Sequence, residues 1–156
     1  MGGPGNDEPL RVGARPASGD PLALPRAVPA GDRGLLAAIL AGGMAGTLVR
    51  LLLAELLPHA EGSWPWGTLV ANAVGAALLG FVLVRFSSRA PTPSRARALL
   101  GTGFCGALTT FSTLQRELLE MLDAGRGGLA LAYVAVSVVA GLAGVLVAVR
   151  VTKGER

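Results

Sequence analysis

Apolar and polar positions along the chain separate into four long apolar runs divided by short polar joints. The runs are GLLAAILAGGMAGTLVRLLLAELL at 34–57, WGTLVANAVGAALLGFVLVRF at 66–86, ALLGTGFCGALTTFSTLQRELLEML at 98–122 and GLALAYVAVSVVAGLAGVLVAVRV at 128–151. Charge barely enters them. The first holds Arg50 and Glu55, the second meets its only charge at Arg85, and the fourth is uncharged as far as Val149. The third is uncharged through Gln115 and then turns amphipathic at RELLEML, 116–122. About 20 mostly apolar residues suffice for a helix to cross a bilayer, and a helix satisfies its own backbone hydrogen bonds where lipid offers none. The pattern therefore predicts an all-α integral membrane protein with four transmembrane helices. Pro58, Pro65, Pro91 and Pro93 fall in the joints, as helix breakers should. A soluble bundle would need polar helix faces, and the runs have none.

Residues 1–33 differ in kind. They hold six Pro, six Gly and eight charges that sum to zero, without an apolar period, and read as a disordered tail. Over the whole chain 51% of residues are hydrophobic and 15% charged, against about 25% charged in soluble domains. That balance excludes a soluble enzyme. It also excludes a nucleic-acid binder, since the arginines mark segment ends and form no basic face. One cysteine, Cys105, and one histidine, His59, exclude a disulfide framework and a metal cluster built on either residue.

Lys and Arg set the expected orientation. The tail, the joint near 85–97 and residues 150–156 share one side and hold eleven of the fourteen, while the other side holds Arg116 and Arg126. Both termini, including the short segment 152–156, are expected in the cytoplasm.

Polar groups within the runs are costly in hydrocarbon and so carry information. Thr68, Asn72 and Gly75 share a helical face, as do Tyr133, Ser137, Gly141 and Gly144; Thr109, Thr110, Ser112 and Thr113 cluster around Phe111. All are neutral donors. They can solvate a small anion or bond their own helix backbone, and the residues alone leave both open. The frequent Gly and Ala signal close helix packing. GTGFCGALTTFST, 101–113, is rich in glycine and β-branched residues that form helix poorly, and is a candidate for a broken third helix with exposed backbone.

Three motifs converge on one family. GFCGALTTFST at 103–113 resembles the signature of the CrcB/Fluc fluoride channels, GTLVANAVG at 67–75 their second-span motif and GGMAGTLVR at 42–50 their first. The likeness covers about residues 35–150. It implies a passive, fluoride-selective channel in a bacterial plasma membrane, assembled as an antiparallel, dual-topology dimer, that exports cytoplasmic fluoride and gives fluoride resistance. It implies a fluoride path along Asn72, Phe111, Ser112, Thr113, Tyr133 and Ser137, with Arg50 as vestibule group or helix anchor. It further implies a structural sodium ion at the dimer interface, held by backbone carbonyls, here of Gly106 and Thr109.

Two departures bear on the partner. The family motif ends TTFSTF where this chain has Leu114, which lacks an aromatic edge for an anion. A dual-topology homodimer should also carry balanced Lys/Arg, and eleven against two is unbalanced. Both departures are explained by a heterodimer with a sister subunit of opposite orientation; the other assembly is a homodimer. The rivals are a non-conducting structural subunit of a heterodimeric channel and a small proton-coupled multidrug exporter. The exporter needs a mid-span carboxylate, whereas Glu55 lies at the end of its run, and no deeply placed carboxylate is otherwise expected. Cys105 reads as a small buried residue, His59 as a solvated loop residue, and Trp64 and Trp66 as interfacial anchors.

Overall fold

The computed structural model of the chain describes residues 32–86 and 94–154. All but the end of the tail assigned to 1–33 lies outside the described residues, as do 87–93, 155 and 156. Helix α1 is Arg33–Leu56, α2 is Trp66–Phe86 and α6 is Gly127–Gly154. Between α2 and α6 lie α3 (Arg95–Arg97), a π-helical segment Ala98–Cys105, α4 (Gly106–Leu108) and α5 (Phe111–Asp123). Among the described residues there is no strand.

Local chemistry sets the boundaries. The Asp32 side chain accepts from the Leu35 amide at 3.1 Å and caps α1. The helix stops at Leu56, two residues before Pro58. The Pro65 carbonyl accepts from Leu69 as α2 begins. At its far end α6 runs three residues past the apolar span, to Gly154, and Thr152 is buried with its hydroxyl donating to the Ala148 carbonyl at 2.7 Å. The hydroxyl bonds its own helix, and 152–154 belong to that helix.

Among the described residues three helices are long and apolar enough to cross a membrane: α1, α2 and α6, with 24, 21 and 28 residues and 18-residue stretches of mean hydropathy 1.9, 2.0 and 2.4. Their apolar side chains point outward as well as inward. Leu36, Leu40, Met44 and Leu48 on α1 and Leu131, Val138, Val139 and Leu142 on α6 are all exposed. A water-soluble fold would not present such faces, whereas lipid is their natural solvent.

Small residues bring backbones together. On α2 and α6, Gly80 lies against Val145 and Gly144 against Ala73 and Ala77. On α1, a Cβ added at Gly42 or Gly46 would collide with the Leu99 or Phe104 carbonyl of the π-helical segment, and one at Gly103 would meet the Ile39 carbonyl. The obstacle in each case is backbone, which cannot swing aside. Gly46→Ala should therefore lower the stability of the purified protein by about 1–3 kcal/mol, read as an earlier thermal transition in detergent. Gly43→Ala is the control, since a Cβ there meets nothing within 4 Å, and equal effects of the two would contradict this packing.

Helix α4 ends at Leu108, and Thr109 and Thr110 are extended, with ψ of 148° and 125°. The chain re-enters helix at Phe111, where the Thr110 hydroxyl accepts from the Thr113 amide and caps α5. Amphipathic α5 packs against α6 through an apolar cluster of Leu69, Met121, Ala130 and Tyr133, with Leu114 and Leu118 beside it.

Candidate functional site

The two extended residues are the centre of the site. Stepping out of helix leaves the Thr110 peptide without ladder partners, and Asn72 supplies both from 38 residues away. Its Nδ2 donates to the Thr110 carbonyl at 3.1 Å, and its Oδ1 accepts from the Thr110 amide at 2.8 Å. A single amide thus clamps the non-helical peptide to α2, which a buried peptide requires. Arg50 adds a second tie, its Nε donating to the Ala107 carbonyl at 3.2 Å. It turns towards the end of α4, where carbonyls lack helical partners.

Hydroxyls fill in around this clamp. Thr110 donates to Thr113 at 3.0 Å and lies 3.4 Å from the Ser112 hydroxyl. Thr109 donates to the Cys105 carbonyl at 3.0 Å. A cavity of about 70 Å³ opens here, lined by Arg50, Leu51, Ala54, Gly67, Thr68, Thr110 and Thr113. A water needs about 10–15 Å³ of such space, so this cavity is large enough for a few waters or a small ion. Arg50 and three threonines are among its lining residues, and among the described residues no Asp or Glu lines it.

Thr68 joins this cavity to a second polar cluster. Its hydroxyl donates to Glu117 Oε1 at 2.5 Å, and the Tyr133 hydroxyl donates to Glu117 Oε2 at 2.9 Å. Glu117 is 2% exposed and Tyr133 fully buried. The expectation of no deeply placed carboxylate is thus corrected: α5 packs on α6, with Leu69 of α2 in the cluster beside them, and Glu117 falls on the inner face of α5. The available signal was positional. Leu114, Glu117, Leu118 and Met121 follow the i, i+3, i+4, i+7 spacing of a buried stripe, and Glu117 is the polar member.

His59 lies exposed in the α1–α2 loop, as expected, whereas Trp64 departs from the reading given above. His59 Nε2 lies 3.9 Å from Glu117 Oε1. Trp64 packs edge-on against Tyr133, with ring centroids 5.5 Å apart. Its indole nitrogen and the Ser137 hydroxyl are buried with no hydrogen-bond partner. Trp66 remains exposed, as an interfacial anchor would be.

The site residues expected from sequence fall into three groups. Asn72, Thr113 and Arg50 meet at the break, with Ser112 at its exposed edge. Tyr133 and Ser137 lie on α6 beyond Glu117. Phe111, at the first position of α5, projects outward with 72% of its surface exposed. Gly106 lies apart from these, in an open apolar groove of about 840 Å³ that also exposes Gly43, Met44 and Thr47 of α1. Because the Thr110 amide bonds Asn72, the Gly106 carbonyl lacks the helical partner that a continuous helix would give it. The carbonyl of Thr109 belongs to an extended residue. Uncharged carbonyl oxygens of this kind fit a hard cation. Among the described residues no group of three or more His, Cys, Asp or Glu forms a metal cluster.

Residues 37–149 match the family model described as CrcB-like protein, Camphor Resistance (CrcB). The chain is 48% identical over 121 residues to the fluoride-specific ion channel FluC 1 of Mycolicibacterium paratuberculosis, covering 78% of this chain and 92% of that one. It is 49% identical over 107 residues to FluC 1 of Mycobacterium tuberculosis, covering 69% and 81%. A fluoride-specific ion channel FluC 2 of Nocardia farcinica is 37% identical over 125 residues, covering 80% and 89%.

Proposed function

The chain belongs to the CrcB family, and from that premise we infer that it is a fluoride channel subunit, through which cytoplasmic fluoride leaves down its electrochemical gradient. It is a multi-pass membrane protein and not an enzyme. Fluoride enters cells as the neutral acid, dissociates inside and is trapped as the anion. A selective passive path relieves that trap and gives fluoride resistance.

The observation that carries the reading is the Asn72 clamp on Thr110, beside a small cavity of guanidinium and hydroxyl donors. Fluoride is small and strongly hydrated, so a path must offer donors in place of water. Thr110 and Thr113 offer hydroxyls at the break, Arg50 offers a positive charge, and Thr68 leads on to Tyr133 and Ser137. The unpartnered Ser137 hydroxyl is a donor in reserve, since a buried donor without an acceptor calls for a water or an ion. Phe111 and the exposed Ser112 complete the path against a second subunit.

Residues 95–123 form the fourth crossing, made of short helices around the break. The working unit is an antiparallel dimer, and the groove at Gly106 is part of its interface. Carbonyls of Gly106 and Thr109 would hold a structural sodium ion there, whose charge would offset the converging carbonyl dipoles. The unequal Lys/Arg distribution fixes one orientation in the bacterial plasma membrane, with both termini cytoplasmic. The second subunit is accordingly a sister chain of opposite orientation. A purely structural role is disfavoured, because Asn72, Phe111, Thr113 and Tyr133 are all present. The exporter reading is disfavoured too: it needs a carboxylate in the middle of the first span, whereas Glu55 is exposed at the end of α1 and the buried Glu117 lies on α5, bonded to Thr68 and Tyr133.

Fluoride release from liposomes carrying the chain, purified from its host membrane with whatever subunit stays bound, tests this reading. A passive channel releases fluoride equally when a proton ionophore collapses the proton gradient. Release that requires the gradient would instead support an exporter.

A further inference from the structure

On the path proposed above, fluoride leaving the Thr68 cavity next meets Glu117 and Tyr133. The hydroxyls on that stretch are already committed, Thr68 donating to Glu117 Oε1 and Tyr133 to Glu117 Oε2. A hydroxyl has one hydrogen to give, so neither serves a passing anion while it holds the carboxylate. Charge does not take their place. Arg50 lines the Thr68 cavity, but Tyr133 does not share that lining and stands beyond Glu117, whose carboxylate repels an anion.

Two buried donors beside Tyr133 remain free. Among the described residues, the buried side-chain nitrogens and oxygens without a hydrogen-bond partner are Trp64 Nε1 and the Ser137 hydroxyl. Ser137 stands one helical turn from Tyr133 on the same face of α6. The Trp64 ring meets Tyr133 edge-on, with centroids 5.5 Å apart and planes at 74°. An indole nitrogen can only donate, and burying it without an acceptor is costly.

The α1–α2 loop nevertheless holds the indole there. Pro65 is fully buried and biases Trp64 towards extended backbone, and the Ser63 amide closes a turn onto the Ala60 carbonyl just before it. A tryptophan that serves only as an interfacial anchor keeps its polar edge wet. Trp66, with its ring centroid 5.8 Å from that of Trp64, is the exposed one.

We propose that the Trp64 indole N–H is a fluoride donor on this path, at the end of the bundle capped by the α1–α2 loop. The inference rests on the channel reading above and adds a residue to it. The indole N–H and the Ser137 hydroxyl replace waters of the ion's shell where Glu117 engages Thr68 and Tyr133. Both donors are neutral, so they solvate the anion without trapping it, as conduction requires.

Trp64→Phe keeps an aromatic ring against Tyr133 and removes the N–H. In liposomes holding the same purified complex it should cut fluoride release several-fold. Its melting temperature should equal or exceed that of wild type, since an orphaned buried donor is gone. Trp66→Phe is the control and should release fluoride like wild type. Trp64 and Trp66 are the chain's two tryptophans, which gives a direct readout. In the Trp66→Phe complex, added fluoride should change the tryptophan emission and added chloride should not. Further substitution with Trp64→Phe should abolish that change, and the difference between the two complexes removes any tryptophan of the second subunit. A Trp64→Phe protein that releases fluoride at the wild-type rate overturns the proposal. So does reduced release with a Trp64 emission that ignores fluoride, because the ring then acts through packing alone. A wild-type complex that releases no fluoride removes the channel reading as well.

Discussion

Asn72→Asp is expected to cut fluoride flux by about thirtyfold or more, which corresponds to about 2 kcal/mol. The amide of Asn72 donates to one side of the Thr110 peptide and accepts from the other. A carboxylate can only accept. It keeps the Thr110 amide but sets an anionic oxygen against the Thr110 carbonyl, and a buried acceptor left without its donor costs about 1–3 kcal/mol. The same change puts a negative charge beside the cavity proposed above as part of the fluoride path. Both effects act in one direction, and the size of the side chain hardly changes. The measurement is the initial rate of fluoride release beside a thermal scan of the same preparation. An Asn72→Asp protein with wild-type flux would remove Asn72 from the path.

Phe111→Ala should separate the site from the fold. The ring opens α5 directly after the extended residues and is 72% exposed, so its removal leaves no cavity in the subunit core. Stability of the subunit should change by no more than about 0.5 kcal/mol, as for other exposed positions. Flux should fall by about tenfold or more, because an aromatic edge carries a positive rim that can face an anion. Phe111→Leu distinguishes edge from bulk: it restores most of the volume and should be nearly as defective. If Phe111→Leu conducts like wild type, the ring acts by filling space alone.

How far such a molecule can be read before its structure differs from element to element. The bounds of α1 and α2 follow from local chemistry, namely Asp32 as cap and Pro58 and Pro65 as breakers, and agree with the apolar runs to within a residue. The break at Thr109 and Thr110 was suggested by glycines and β-branched residues of poor helix propensity. The π-helical winding of Ala98–Cys105 was not, because a π turn depends on how α1 backbone meets Gly103 and the Leu99 and Phe104 carbonyls. Asn72 stood out as an amide in an apolar run, but its bonds to Thr110 join residues 38 apart and have no local signature.

Glu117 was the chief omission. RELLEML looks like a solvated amphipathic turn when its three polar residues are counted together. Only the helical spacing from Leu114 to Met121 separates buried Glu117 from the exposed side bearing Arg116, and the donors Thr68 and Tyr133 come from other helices. Leu114, singled out for lacking an aromatic edge, is half-buried against the Tyr133 cluster. Its contribution in this chain is therefore to packing beside the path.

The most direct measurement is fluoride release from liposomes carrying the chain with its native second subunit, followed by a fluoride electrode, with chloride release followed in parallel. A fluoride channel gives rapid fluoride release, negligible chloride release, and loss of the fluoride signal in Asn72→Asp. Fluoride retained by wild-type liposomes, or chloride released as fast as fluoride, would contradict it.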